Sequence, residues 1–137
     1  GGELHYRDLP EGGIEVDPIY VLHNIAGITI PIFDKEGQMH RQMVNPLCSA
    51  LRDIKNMELD KYVKTFDGIF VPRHIKRELG RRLSRHSWGV AIDINASTNP
   101  VCKPSNQHPA VRAIFKRWGF ADGGDWKIPD AMHFELR

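Results

Sequence analysis

The chain has 137 residues, 41% of them hydrophobic and 26% charged, and a net charge of +2. A domain of that length buries roughly 68% of the surface its unfolded chain exposes, so no disulfide or metal is needed merely to hold a core. The charge is too small to argue by itself for a nucleic-acid partner. Cys48 and Cys102 make no disulfide framework and fit no cysteine-based zinc site, so they read as two free thiols.

Residues 1–18 are rich in Gly, Pro and acids and read as an irregular arm. IAGITIPIF follows; its β-branched residues and Pro31 suggest an edge strand, too short to span a bilayer. DKEGQ reads as a turn. NPLCSALRDIKN has Leu47, Ala50, Leu51 and Ile54 at helical spacing, with Pro46 in the first turn. KYVKTFDGIFVPR alternates polar with aromatic or β-branched residues, which predicts one or two strands and a turn at Asp67-Gly68. The next segment carries Arg73, Lys76, Arg77, Arg81, Arg82 and Arg85 against Glu78. It reads as a solvated turn or short helix, or as a surface that attracts an anion.

GVAIDIN is predicted as a strand and ASTNPVCKPSNQ as a loop. HPAVRAIFKRWG is the clearest helix: Pro109 opens it, Val111, Ile114, Phe115 and Trp118 line one face, and Gly119 closes it. FADGGDWKIPDA reads as a loop and MHFELR as a last strand. No repeat or linker appears, so residues 1–137 read as a single domain. Few helices and short connections favour α+β with a mostly antiparallel sheet.

The chemistry concentrates in SRHSWGVAIDIN. A carboxylate in a strand that otherwise reads as core is costly unless something pairs with it. Alternation sends Val90, Ile92 and Ile94 to the core and leaves Gly89, Ala91, Asp93 and Asn95 on the other face, a hollow containing an acid. His86 stands just before it. In DAMHFEL, His133 and Glu135 share a face, and Asp130 precedes His133 by three residues on a turn. His86, Asp93 and His133 are therefore candidate ligands of one Zn2+ per chain, with Asp130 beside it. Three protein ligands leave a fourth position open, as in catalytic zinc sites, where a water has its pKa lowered to about 7. Asp130 could then take a proton and pass it to a leaving amine.

SRHSWGVAID fits S-x-H-x-x-G-x-A-x-D, and DAMHFE fits a downstream D-x-x-H with an aromatic and an acid. These residues resemble the D-alanyl-D-alanine carboxypeptidase and L-alanyl-D-glutamate endopeptidase family of zinc peptidases, whose relatives include the vancomycin-resistance dipeptidase and the zinc-bearing domain of hedgehog signals. The resemblance covers residues 67–135. It implies a hedgehog-like fold with zinc on the open face of the sheet, ligands at His86, Asp93 and His133, and Asp130 as the acid/base. An aspartate there is similar to the branch with many phage endolysins, which cut between L-Ala and D-Glu in peptidoglycan stems. Cleavage of a terminal D-Ala is the alternative. A peptidase-like binding module with a structural metal is a further one, which the intact motif disfavours.

The same resemblance places Arg73 as the oxyanion-stabilising arginine and Ser84 as a substrate-holding serine. Trp88, Trp126 and Gly123-Gly124 would shape the cleft rim, though core packing suits the tryptophans equally. Ser84 reads equally as a turn cap and Arg73 as a surface charge. Glu135 reads either as a hydrogen-bond partner of a ligand imidazole or as a surface acid. The expected partner is bacterial peptidoglycan, with no membrane span and a monomer as the default. Nucleic-acid binding through the basic segment is weak because aromatic interleaving is missing. No secretory signal is visible. Action at the cell wall or in the periplasm then implies release by another route, or a signal already removed.

Overall fold

The computed structural model describes residues 4–73, 77 and 82–137. Most of the basic run after Arg73, including Lys76, Glu78 and Arg81, lies outside the described residues. Among those described, three α-helices and seven strands form an α+β structure in which every strand pair is antiparallel.

Strands β1 (Tyr6–Asp8) and β2 (Ile14–Val16) pair as a hairpin in the segment expected to be irregular. Its anchor is apolar: Ile14 and Val16 are buried with Leu4 against Phe70, Leu83 and Trp88. Glycines and acids obscured that two-residue alternation in the sequence. Helix α1 (Pro18–Asn24) follows, capped by the Asp17 carboxylate on the Ile19 amide.

Strand β3 (Ile25–Ile30) pairs with β4 (Lys35–His40). DKEGQ is thus strand from Lys35 on, and the turn precedes that strand, where Ile32 and Asp34 take positive φ. Helix α2 (Arg41–Asn56) begins earlier than expected, with the His40 imidazole accepting from the Gln42 amide. Pro46 therefore sits inside the helix rather than in its first turn.

No named strand forms in KYVKTFDGIFVPR. Instead Lys61 and Tyr62 close a short helical turn, and the chain then runs beside β5 (Ala91–Asp93), tied by Asp67 N–H to Asp93 O at 2.9 Å and Asp93 N–H to Gly68 O at 3.0 Å. Helix α3 (Pro109–Arg117) matches its expected position, and Gly119 leaves it at φ 92°. The segment expected as a loop after it contains strand β6 (Phe120–Asp122). Strand β7 (His133–Leu136) lies between β5 and β6.

This last sheet divides the molecule. On one face Ile92, Ile94 and Phe134 are fully buried against Met43, Leu47 and Ile54 of α2 and Val111 and Phe115 of α3. Phe115 stacks on Phe134 with ring centroids 4.4 Å apart and meets Phe120 edge-on at 5.4 Å. Each buried ring contributes about 1.5–3 kcal/mol, which fixes which face of the sheet points inward. The other face is left with Asp93, His133 and Glu135. Cys48 and Cys102 are both free, one buried and one exposed.

Candidate metal centre

The register of the β5–β7 pair places Asp93 directly opposite His133. A one-residue slip of β7 would turn His133 into the core and Phe134 out of it, so the packing of the apolar face sets the geometry of the polar one. His86 arrives from a short helical turn, Arg85–Trp88, whose first amides are capped: the Ser84 hydroxyl accepts from His86 N–H at 3.2 Å. Gly89 ends that turn at φ 75°. A Cβ there would stand 2.7 Å from the His40 amide nitrogen, so glycine is required both for conformation and for the close approach of β4.

His86 Nε2 lies 3.1 Å from Asp93 Oδ1, and His133 Nδ1 lies 3.3 Å from the same oxygen. Ligand atoms of His86, Asp93 and His133 all fall within 4.8 Å of one another, and the three residues are 1%, 9% and 6% exposed. His86 Nε2 and Asp93 Oδ1 are close but not aligned, and both are buried without a hydrogen-bond partner. Such atoms cost free energy unless something outside the protein meets them. Two imidazoles and a carboxylate aimed at one point fit a divalent ion of the zinc class.

The far side of each imidazole is satisfied. His86 Nδ1 lies 2.8 Å from the Ile69 carbonyl oxygen, which as an acceptor leaves Nε2 as the free ligand atom. His133 is reversed: its Nε2 lies 2.9 Å from Glu135 Oε1, and Nδ1 faces Asp93.

Asp130 stands beside the cluster, with Oδ2 3.9 Å from His133 Nδ1 and Oδ1 buried without a hydrogen-bond partner. Burial and the nearby Asp93 charge push its carboxyl above the ordinary aspartate value, although His133, His86 and Arg73 pull the other way. Asp93 feels burial too, but its contacts with the two imidazoles outweigh it and hold the carboxyl well below the usual range. Burial lowers the His133 pKa; its contacts with Asp93 and Glu135 win and raise it to about 9. Two aspartates on one site are thus pushed in opposite directions, the arrangement that separates a ligand from an acid/base.

Arg73 is half-buried, and its charge is within reach of Asp93 and Asp130; burial lowers its pKa while those two acids oppose the change. Ser87 fixes its backbone: the Ser87 hydroxyl accepts from Arg73 N–H and donates to Arg73 O, both at 2.9 Å. Trp126 is half-buried, its ring 5.4 Å from that of His133. Trp88 instead packs beside the Leu4, Ile14 and Val16 cluster, accepts the Tyr20 hydroxyl on its carbonyl at 2.9 Å and lies under the Arg85 guanidinium.

Three supports hold the site in ways the sequence did not indicate. Asn95, expected in the hollow, takes φ 52° and turns away. Its side chain accepts from the Lys64 and Thr65 amides and donates to Tyr62 O and Gln107 Oε1. Gln107 in turn donates to Ile94 O and Ala131 O, joining the 95–108 loop to the turn that carries Asp130. Asp122, buried, pairs with Arg112 at 2.6 Å and caps Gly124 N–H at 2.7 Å. Gly123 is the third: its carbonyl accepts from Asp130 N–H at 2.8 Å, and a Cβ on it would stand 2.2 Å from Asp130 O. The Asn-Gln and Asp-Arg partners are separated by 12 and 10 residues, spacings that carry no local signal.

Residues 78–136 match the family model of D-alanyl-D-alanine carboxypeptidase. The matched segment, less than half of the chain, is similar to that family and spans His86, Asp93, Asp130 and His133. No curated protein and no solved structure matches the chain. The α+β fold with antiparallel sheets is compatible with the carboxypeptidase family. No helix among the described residues is long and apolar enough to cross a membrane.

Proposed function

We propose that the protein is a zinc-dependent peptidoglycan peptidase, hydrolysing an amide bond in the stem peptide. The observation that carries this reading is the convergence of His86 Nε2, Asp93 Oδ1 and His133 Nδ1, with Asp130 alongside. His86, Asp93 and His133 would hold one Zn2+. When bound, zinc supplies Lewis acidity, polarising a carbonyl and making a water a stronger acid.

The chain's own residues supply the rest. Asp130, with its carboxyl pushed up, takes a proton from the attacking water at its unpartnered Oδ1 and returns it to the leaving nitrogen. Arg73 faces the negative charge that develops on the carbonyl oxygen. Trp126 forms a wall beside His133, and Ser84 and Trp88 act through the turn that carries His86.

The preferred bond is L-Ala–D-Glu, on the strength of an aspartate at position 130. The description of the matching family model favours a second reading, release of a terminal D-Ala. The cell wall is the site of action under either. Asp130→Ala is expected to lose about 10²–10⁴-fold in digestion of purified sacculi. Product masses from stem peptides separate the two bonds: free D-Ala without an Ala–Glu cut ends the endopeptidase version, and full activity of Asp130→Ala ends both.

A further inference from the structure

The reversed orientation of the His133 ring has a structural cause. Glu135 is 4% exposed, and its neighbours across both strand pairs are alanines, Ala91 on β5 and Ala121 on β6. Their small side chains leave room around its carboxylate. Oε1 meets His133 Nε2 at 2.9 Å; Oε2 faces Arg137 Nε at 3.2 Å and Arg85 Nε at 3.5 Å, the latter an ion pair in which the buried Arg85 Nε makes no hydrogen bond. Arg85 also donates to Leu136 O at 3.2 Å, and it immediately precedes His86 in the chain. A closed circuit results: Arg85 is covalently joined to His86, paired with Glu135, and through Glu135 bonded to His133.

Resting on the reading that His133 is a metal ligand, we propose that Glu135 is a positioning residue. It holds the His133 proton on Nε2 so that Nδ1 is presented to the ion, and the charges of Arg85 and Arg137 draw its other oxygen to the opposite side. A carboxylate only accepts, so in the neutral ring, with Nδ1 given to the ion, the nitrogen facing Oε1 is the one that keeps its proton. Carboxylate partners of ligand imidazoles typically change metal affinity 10–100-fold when removed. Arg85 also makes the two histidine-bearing segments one unit, so the site is assembled before an ion arrives.

The test is Glu135→Gln, which keeps size and removes charge. Its amide has one acceptor oxygen and one donor nitrogen. The two arginines, being donors only, claim the oxygen and turn the NH2 toward His133 Nε2, favouring the opposite tautomer. Zinc affinity, measured by competition with a chelating indicator, is expected to fall by about 10–100-fold. Long-range 1H–15N spectra of the metal-free protein in alkaline buffer are expected to show the His133 proton moved from Nε2 to Nδ1. An affinity within twofold of the parent, with the proton still on Nε2, overturns the proposal. If Glu135→Gln does not fold, the double variant Arg85→Gln/Arg137→Gln, on two solvent-reaching side chains, carries the test: about a 10-fold loss of zinc affinity supports it and an unchanged affinity overturns it. Neither readout uses hydrolysis. A parent protein that binds zinc but leaves sacculi intact would sink the peptidase reading alone, and an active parent with an indifferent Glu135→Gln would sink this one alone.

Discussion

Gly123→Ala separates the position of Asp130 from its chemistry. The added Cβ would stand 2.2 Å from Asp130 O and 3.1 Å from both Asp130 C and His133 O. Relief requires the Asp130 carbonyl to retreat by roughly 1 Å, because backbone on both sides cannot rotate away as a side chain could. The Gly123 O to Asp130 N–H bond, at 2.8 Å, closes the same loop and passes that displacement to the carboxylate. Gly123 does not have a positive φ, so the substitution acts through space and not through backbone strain. Overpacking of this kind costs about 1–3 kcal/mol, which a folded protein survives. A displacement of about 1 Å at a reacting group costs about 10²-fold in rate. Gly124→Ala is the control: its Cβ comes no nearer than 3.0 Å to Asp122 Oδ1 and Ser105 Cβ and 3.1 Å to Arg112, so a shift of a few tenths of an ångström relieves it. The assay is clearance of purified sacculi at saturating zinc, with zinc content and melting temperature measured on the same samples. Gly123→Ala is expected to keep its zinc and lose about 100-fold in rate, with Gly124→Ala close to the parent. A Gly123→Ala protein within twofold of the parent would refute the claim that Gly123 sets where Asp130 lies.

Asp122→Ala removes the partner of Arg112 and the cap on Gly124, and urea unfolding is expected to show a loss of about 3 kcal/mol, less than a fully buried pair would give because Arg112 keeps Asp125 at 2.9 Å. Asn95→Ala strands two backbone amides and the Gln107 carboxamide and places an alanine at φ 52°; a loss of about 3 kcal/mol is expected, and one below about 1 kcal/mol contradicts the network. In metal-free protein, His133 has a folded pKa raised to about 9 from 6.5, so the stability it contributes is complete below pH 6.5 and is lost as pH rises through about 9. Asp93 is depressed below 3.8, so its share is present above that value and lost as pH falls. Melting temperature in chelator is therefore expected to drop between pH 6 and pH 10 and to hold up better with zinc present; a flat alkaline limb in chelator counts against the pairing.

What the sequence disclosed follows from range. Alternation over GVAIDIN and MHFELR placed Ile92, Ile94 and Phe134 inward, and the structure has all three fully buried. The same parity put Asp93 and His133 on the opposite face, and the register then brought them across from each other. The β1–β2 hairpin escaped because strands of three residues offer too little alternation, and β4 because its glycine and charges resemble a turn. Trp88 was ambiguous between rim and core because both positions favour a large ring with one polar atom. The supports at Asn95, Gln107, Asp122 and Ser87 depend on contacts between distant loops, for which no spacing in the chain gives a sign.

Zinc K-edge absorption on protein loaded with one equivalent of metal tests the centre most directly. Two imidazole nitrogens and a carboxylate oxygen are expected around the ion, with no sulfur, and the spectrum should change on Asp93→Ala. Sulfur from Cys48 or Cys102 in the first shell, or a spectrum indifferent to that substitution, would mean that the metal binds elsewhere and that His86, Asp93 and His133 do not form its site.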